Sequence, residues 1–484
     1  MCKSLIYFIS LIFVLTSCSE KSIESNDCSD FNSVFSLIDT DGDGLTDCEE
    51  TTAIDNPNTI SKPITITDPH NPFNGVLDTV INVGGALNES LVSIAKTNDG
   101  GFVCVGFTQS NNGDIDDFKG GNDFWLLKYD NKISLEWSMN YGGTKEEIAS
   151  RVIQVNDGGF VMVGYSKSND IDLEVNHGQK DIWVVKINAI GDIIWTKTYG
   201  FEGDEEGLSV IETKEGGLLV CGYIDVTASG GKGNDLMMRQ HGVGDIWALK
   251  LDENGNLEWR RYFGGSNNDR AYDVVQSADD GFLIAGTSES EDFDISKPNG
   301  SYDYWLVKLS KAGKLLWEKS YGGSEIDDCY RILPVENNNF LLIGNTFSLT
   351  GSGIVNKGYS DIWILKIDAQ GQIVWQKTYG GSAFDSAVSG CMTKKGDYVI
   401  SGNSRSRDKD LDENKGQNDI WVFKIDTNGE IIWNKIIGGK GFDIANDVVE
   451  LNDYSLIVVG ESNSKDQDIS NNKGYSDGVI IKIK

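Results

Sequence analysis

The chain has 484 residues, with 74 Asp and Glu against 42 Lys and Arg, a formal net charge of −32 at pH 7. That balance excludes electrostatic binding to nucleic acid or to an anionic membrane face, and three histidines leave little material for histidine-based catalysis. Fifty-six glycines against six prolines indicate many tight turns rather than a disordered linker protein.

In chain order, Lys3 precedes the apolar run Leu5–Leu15. This run is too short to span a bilayer and suits the core of a signal peptide over residues 1–17. It ends in Leu15-Thr16-Ser17-Cys18, which resembles the lipobox of bacterial lipoproteins. The resemblance implies cleavage before Cys18, acyl chains on that cysteine and a lipid anchor in the bacterial cell envelope, at the outer membrane or cell surface. The alternative is a plain secretory signal; either way the mature protein is expected outside the cytoplasm, where disulfides are possible.

Residues 18–55 carry the anchor and a small module. Asp39-Thr40-Asp41-Gly42-Asp43-Gly44-Leu45-Thr46-Asp47-Cys48-Glu49-Glu50 fills each position of a twelve-residue calcium loop. Asp39, Asp41 and Asp43 supply oxygens at positions 1, 3 and 5, Leu45 its carbonyl at 7, Asp47 stands at 9, and Glu50 closes at 12. Calcium requires six to eight hard oxygens, and carboxylates this close repel one another without a cation. The stretch also resembles a thrombospondin type 3 calcium repeat, and the resemblance implies a disulfide between Cys28 and Cys48. Residues 56–75 read as a linker rich in Pro, Thr and Asp.

From residue 76 to 484 the chain repeats. Aligned on the glycines at 84, 142, 200, 264, 322, 380 and 438, the copies are spaced by 58, 58, 64, 58, 58 and 58 residues. Within one copy, 148–155, 160–165, 181–187 and 193–199 read as four strands, the first two joined by the turn Asn156-Asp157-Gly158-Gly159. Four antiparallel strands repeated seven times predict an all-β, seven-bladed β-propeller. The last copy ends after its third strand, and residues 76–83 stand in fourth-strand register ahead of the first copy. They are expected to complete the last blade and close the ring.

All twelve tryptophans fall on two repeat positions, on third strands (Trp125, Trp183, Trp247, Trp305, Trp363, Trp421) and fourth strands (Trp137, Trp195, Trp259, Trp317, Trp375, Trp433). They are expected to dock blade on blade. The stretch Lys250-Leu251-Asp252-Glu253-Asn254-Gly255-Asn256-Leu257-Glu258-Trp259 resembles the tryptophan-docked repeats of quinoprotein-like propellers. That resemblance implies a cofactor-stacking tryptophan in an eight-bladed ring; seven copies and no spare tryptophan make a quinone cofactor unexpected here.

Three polar positions recur in every copy. The first strand opens on Glu89, Glu147, Glu205, Asp269, Asp327, Asp385 or Asp443, a candidate acidic rim at the channel mouth for Ca²⁺ or a cationic ligand. Alternatively these carboxylates accept backbone amides and stitch the blades together. The third strand opens on Asp123, Asp181, Asp245, Asp303, Asp361, Asp419 or Asp477, and a lysine follows five residues later. Long second-to-third loops with Asp/Asn-x-Asp pairs (114/116, 170/172, 292/294, 410/412, 466/468) make the candidate binding face, shared with the fourth-to-first loops. The six-residue insertion falls in 225–244, where Met237, Met238, Arg239 and His241 suit a protein contact. No Ser/His/Asp or Cys/His set stands out, so a binding or scaffolding propeller for a protein or glycan partner is expected over an enzyme or an envelope-assembly factor.

Overall fold

The structure is a computed structural model that describes residues 75–484 apart from Glu174, residues 237–240, Val243 and Ser352. The signal peptide, Cys18, the Asp39–Glu50 loop, Cys28, Cys48 and nearly all of the linker lie outside the described residues, as do Met237, Met238 and Arg239.

Among the described residues the strands form seven four-stranded antiparallel sheets and one small hairpin, Thr350–Gly351 with Ile354–Val355. β1 (Leu77–Val83) comes first. Blade 1 is then β2 (Glu89–Lys96), β3 (Phe102–Thr108), β4 (Asp123–Tyr129) and β5 (Leu135–Tyr141), hydrogen-bonded in that order. Blades 2 to 6 repeat it. In blade 7 the outermost position is taken by β1, paired antiparallel with Asp477–Ile483. The ring closes through the chain's first and last described strands, as the missing fourth strand of the last repeat requires. Among the described residues no helix is long and apolar enough to cross a membrane.

The first strands of neighbouring blades adjoin around the axis, and the apolar core lies between blades rather than within them. Val103, Phe124 and Leu126 of blade 1 pack with Met162, Trp183 and Val185 of blade 2. The third-strand tryptophans are fully buried; the Phe124 ring sits 4.5 Å from that of Trp183, and Tyr304 4.7 Å from Trp363. The fourth-strand tryptophans are partly buried beneath the third-to-fourth turn of the next blade. A Cβ on Gly255 would stand 3.0 Å from Trp195, and one on Gly313 2.9 Å from Trp259, so a side chain on either turn glycine would collide with the indole.

The seam between blades 7 and 1 departs from this pattern. Thr79 stands where the other blades have a tryptophan, and the facing turn carries Ile133 in place of glycine, at φ 64°. Ile133 packs with Ile81 on the core there, so a left-handed β-branched residue fills the room the indole vacates, at about 1–2 kcal/mol of backbone strain.

The repeated lysines lie at the opposite, turn face. Lys128 pairs with Asp99 at 2.9 Å and Glu136 at 2.8 Å, Lys186 with Asp157 at 2.7 Å, and Lys424 with Asp397 at 2.8 Å. Each of these lysines reaches from the third strand to the first-to-second turn of its own blade.

Candidate functional site

The loop face is built from the fourth-to-first and second-to-third loops together. Asp114 N–H donates to Gly84 O at 3.1 Å, and the same bond recurs from Asp172 to Gly142 at 3.3 Å. The seven carboxylates that open the first strands stand directly beneath these loops, all 0 % exposed. They therefore do not form a solvent-facing rim. Each accepts the amide four residues before it: Gly85 N–H donates to Glu89 at 2.8 Å, Gly143 to Glu147 at 2.7 Å, Phe201 to Glu205 at 2.8 Å and Gly265 to Asp269 at 2.7 Å. Asp327, Asp385 and Asp443 do the same at 2.7, 2.6 and 2.8 Å. Hydroxyls 19 and 21 residues further on complete most of the sites, as Ser288 and Ser290 do on Asp269. In five of the seven both carboxyl oxygens accept such bonds, whereas Glu205 Oε1 and Asp327 Oδ1 have no partner among the described residues.

Each junction also holds a second carboxyl, the aspartate that opens the third strand of the preceding blade. A Cβ on Gly142 would lie 2.6 Å from Asp123 Oδ1 and 2.9 Å from Glu147 Oε2. Glycine is required because the two carboxyls close on it from both sides. Asp123 Oδ2 accepts Lys119 N–H at 2.7 Å, but Oδ1 is buried and without a donor, as in Asp181, Asp245, Asp303, Asp361 and Asp419. Burial first, then the facing carboxylate, pushes Asp123, Asp361 and Asp419 up to about 7 and Asp303 to about 6. A carboxylate facing another across a buried junction favours the protonated form of one of the pair.

Glu205 is the most perturbed of the set, held at about 8 by burial and then by Asp181. Ile224 and Val226 occupy the two positions where the other blades supply Ser or Thr, and Glu205 Oε1 has no donor.

Above the pairs, the Asp/Asn-x-Asp residues clasp the loops. Their register in two blades differs from the expected one: the pairs in use are Asn112/Asp114 and Asp408/Asp410, not 114/116 and 410/412. Thirty residues after the junction glycine, a carboxylate accepts its amide: Asp114 from Gly84 at 2.9 Å, Asp172 from Gly142 at 3.0 Å, Asp294 from Gly264 at 3.4 Å, Asp410 from Gly380 at 3.0 Å and Asp468 from Gly438 at 3.2 Å. A lysine of the preceding blade closes four of these clasps: Lys119 on Asp172 at 2.8 Å, Lys415 on Asp468 at 2.6 Å, Lys357 on Asp410 and Lys473 on Asp114. The paired oxygens thus hold amides and ammonium groups of the protein itself.

The residue between the paired positions is left-handed: Gly113 at φ 74°, Ile171 at 57°, Phe293 at 53°, Lys409 at 60° and Gln467 at 53°. Ile171 and Phe293 are 59 % and 53 % exposed. The Phe293 ring stacks on His241 at 4.8 Å. His241 itself is buried, with Nδ1 2.7 Å from Asp245 Oδ2; it occupies the clasp-lysine position of blade 3 rather than a protruding tip, because burial of Asp245 draws the imidazole inward.

In the channel, the fifth residues of the seven first strands are Ser93, Arg151, Ser209, Asp273, Arg331, Ser389 and Asp447. Asp447 accepts Ser93 Oγ at 3.3 Å and Ile94 N–H at 3.0 Å, with Arg151 at 3.6 Å. Asp273 accepts Ser209 Oγ at 2.8 Å and Ile332 N–H at 3.1 Å, with Arg331 at 3.5 Å. Two Arg and two Asp compensate one another in this layer.

Nearer the loop face, blades 2 to 5 carry a polar–aromatic series, and blades 5 to 7 a second one in which Arg405 stands over Phe384 and Phe442 at 5.8 and 5.7 Å. Tyr165 Oη donates to Glu146 at 2.8 Å, and Lys180 Nζ lies 4.2 Å from the centre of the Tyr165 ring and 3.6 Å from Glu206. Tyr223 Oη donates to Glu206 at 3.1 Å, and the Arg270 guanidinium stands 4.5 Å over the Tyr223 ring. Tyr272 and Tyr330 meet edge to face at 5.0 Å, and burial pushes Asp328 beside them up to about 6. Recurrence among the copies does not single out these residues. Their signal is the opposite one, positions where the copies disagree: positions two and four of the first strand for Glu206, Arg270, Asp328, Tyr272 and Tyr330, and the sixth residue of the second strand for Tyr165 and Tyr223.

No family profile matches the chain. The regulatory protein FlaEY of Caulobacter vibrioides is 24% identical over 215 residues, 42% of this chain but 22% of that protein, so the chain spans about a fifth of that relative's length. Similar solved structures include BamB from Moraxella catarrhalis (14% identity, 85% of this chain and 100% of that one, TM-score 0.40). The Neurospora crassa Pan2 WD40 domain (8%, 83% and 95%, 0.45) and Drosophila Plexin A in complex with Semaphorin 1b (8%, 85% and 87%, 0.44) are also similar.

Proposed function

We propose that this chain is a cell-envelope lipoprotein whose propeller holds a protein partner on the loop face around blades 2 to 4. In this reading acyl chains on Cys18 tether it, and Ca²⁺ bound by Asp39, Asp41, Asp43, Leu45, Asp47 and Glu50, with a Cys28–Cys48 disulfide, stiffens the segment beside the tether. One observation carries the partner assignment. Ile171 and Phe293, on the loops either side of blade 3, hold apolar side chains in water on backbones at φ 57° and 53°. The left-handed conformation costs a β-branched or bulky residue about 1–2 kcal/mol, and apart from the stacking of Phe293 on His241 the exposed side chains add nothing to the fold. Gly113, at the same position in blade 1, shows that a strain-free choice is available. Val175 and Leu236, also exposed on the loops of blades 2 and 3, extend the apolar surface on an otherwise acidic face, and burial of such side chains returns about 1.5–3 kcal/mol each.

The test separates binding from folding. Ile171→Gly with Phe293→Gly removes strain while giving up the Phe293–His241 stacking, so the two effects oppose and the melting temperature is expected to hold. Chemical cross-linking in intact envelopes is expected to lose the product that the parent forms, while Val374→Ser on the outer strand of blade 5 keeps it. An unchanged cross-linking pattern in the double glycine variant refutes the assignment.

A further inference from the structure

The junction between blades 2 and 3 lacks its clasp. Counting 30 residues from Gly200, where five other blades place an aspartate, gives Gly230; counting 28 gives Ala228, where those blades have Asp or Asn. The clasp lysine is replaced by His177. The junction between blades 4 and 5 has Asn299 in place of that lysine, but the Thr350–Val355 hairpin covers it, with a Cβ on Gly351 2.8 Å from Gly323 Cα. At the blade 2–3 junction no such hairpin lies over the gap among the described residues. A cavity of about 330 Å³ opens there, lined by His177, Gly200, Phe201, Gly230 and Lys232, with the exposed Glu202 at its edge.

We propose that this cavity binds a carboxylate, which takes the place of the missing loop aspartate. Three donors point to that class. Gly200 N–H, whose counterparts at Gly84, Gly142, Gly264, Gly380 and Gly438 each donate to an aspartate, has no acceptor among the described residues. His177 is fixed by its Nδ1 contact to Asp181 Oδ2 at 2.7 Å and is 45 % exposed, which leaves its other ring nitrogen for a ligand. Lys232 is exposed and makes no ion pair among the described residues. Gly230 lines the cavity on a loop that follows a different path from the five clasps, its N–H donating to Thr227 O, and a Cβ built on it meets nothing within 4 Å. The other junctions hold a third carboxyl above the same buried pair, so the field of Asp181 and Glu205 does not exclude one here. Glu202 repels a second negative charge and selects a ligand whose remainder is neutral or cationic. A free small acid and an aspartate side chain of a peptide share this chemistry, and the inference does not rest on the partner proposed above.

The experiment is saturation-transfer NMR and calorimetry on the full chain with N-acetylglycine, a blocked Gly-Asp-Gly peptide, its Gly-Asn-Gly counterpart and inorganic phosphate. Binding of either carboxylate but not of the asparagine peptide supports the site, and the stronger of the two names the source. Gly230→Asp, at φ 66° where aspartate is tolerated, fills the cavity from within and is expected to abolish binding. His177→Gln and Lys232→Met are each expected to weaken it about tenfold, with the fold intact by melting temperature. Equal binding of the asparagine peptide, tighter binding of phosphate, or undiminished binding by both Gly230→Asp and His177→Gln overturns the proposal.

Discussion

Replacing Asp123 by Asn tests whether a blade junction stores a proton. In the parent, Asp123 Oδ2 accepts Lys119 N–H at 2.7 Å while Oδ1, without a donor, faces the Glu147 carboxylate across Gly142. Asparagine keeps the acceptor and places an amide donor where the proton would sit, so it imitates the protonated junction at every pH. Burial and then Glu147 raise Asp123 from 3.8 to about 7. The folded value lies above the unfolded one. The native state therefore holds a proton that the unfolded chain releases, and the stabilisation is complete below about pH 4 and lost as the pH rises to about 7.

At about 1.4 kcal/mol per pH unit, that interval is worth up to about 4 kcal/mol. For a propeller of roughly 400 residues, with an unfolding entropy of about 2.1 cal/mol/K per residue, it corresponds to about 4–5 °C in melting temperature. The assay is thermal unfolding of parent and variant from pH 4.5 to 8.5. Asp123→Asn is expected within about 1 °C of the parent at pH 4.5 and several degrees above it at pH 8.5. Parallel curves, or a variant lower by the same amount at every pH, refute the shared proton. On the acid side, hydrogen bonds from Thr97 and Lys128 outweigh burial and hold Asp99 at about 2. Asp279, bonded by Lys308 and Ser277, is held at about 2 in the same way. Stabilisation from these groups is lost as pH falls below about 4 toward 2.

Other outcomes follow from the same geometry. At the closing seam, Thr79→Trp with Ile133→Gly restores the indole-on-glycine contact of the other blades. A double-mutant cycle is expected to show favourable coupling of about 0.5–3 kcal/mol, with Thr79→Trp alone destabilising. In blade 3, Ile224→Ser returns a hydroxyl to Glu205, and carboxyl ¹³C titration is expected to move it down from about 8. In the full chain, Asp39→Ala with Asp41→Ala is expected to remove one calorimetric Ca²⁺ site; an unchanged stoichiometry would assign calcium to the propeller instead.

What the sequence discloses depends on repetition. Strand limits, blade number and the closure by residues 77–83 are readable because seven copies state the same 58-residue phrase. The first-to-second turns and third strands stand within a residue of where alternation and Asn-Asp-Gly-Gly place them. The fate of the first-strand carboxylates is harder to read, since an acidic strand head suits an open mouth as well as a buried cap. The deciding sign lies 19 and 21 residues away, in the hydroxyl pairs such as Thr108/Ser110 and Ser462/Ser464, and matters only once β3 is known to lie beside β2. In blades 1 and 6 the sequence pattern points two residues beyond the pairs in use, because Asp114-Ile115-Asp116 and Asp410-Leu411-Asp412 repeat the motif one step late. Only the 30-residue spacing from the junction glycine tells the clasp from its neighbour.

The departures from repetition are not scattered. At the junction of blades 2 and 3, five polar groups present in most other copies are absent together: Ile224 and Val226 stand for hydroxyls, Ala228 and Gly230 for the loop carboxylates, and His177 for the clasp lysine. Each lost hydrogen bond is worth about 0.5–1.5 kcal/mol, so this junction gives up several kcal/mol that its neighbours keep. A ring closed by β1 distributes such a loss over seven interfaces and can carry one weak junction. The polar–aromatic series of blades 2 to 5, the exposed left-handed Ile171 and Phe293 and the insertion all fall on and around that same junction. Symmetric positions, where a change would be felt seven times, hold the scaffold; one open junction, where a cavity replaces an internal salt clasp, is where an outside ligand costs the fold least to accommodate.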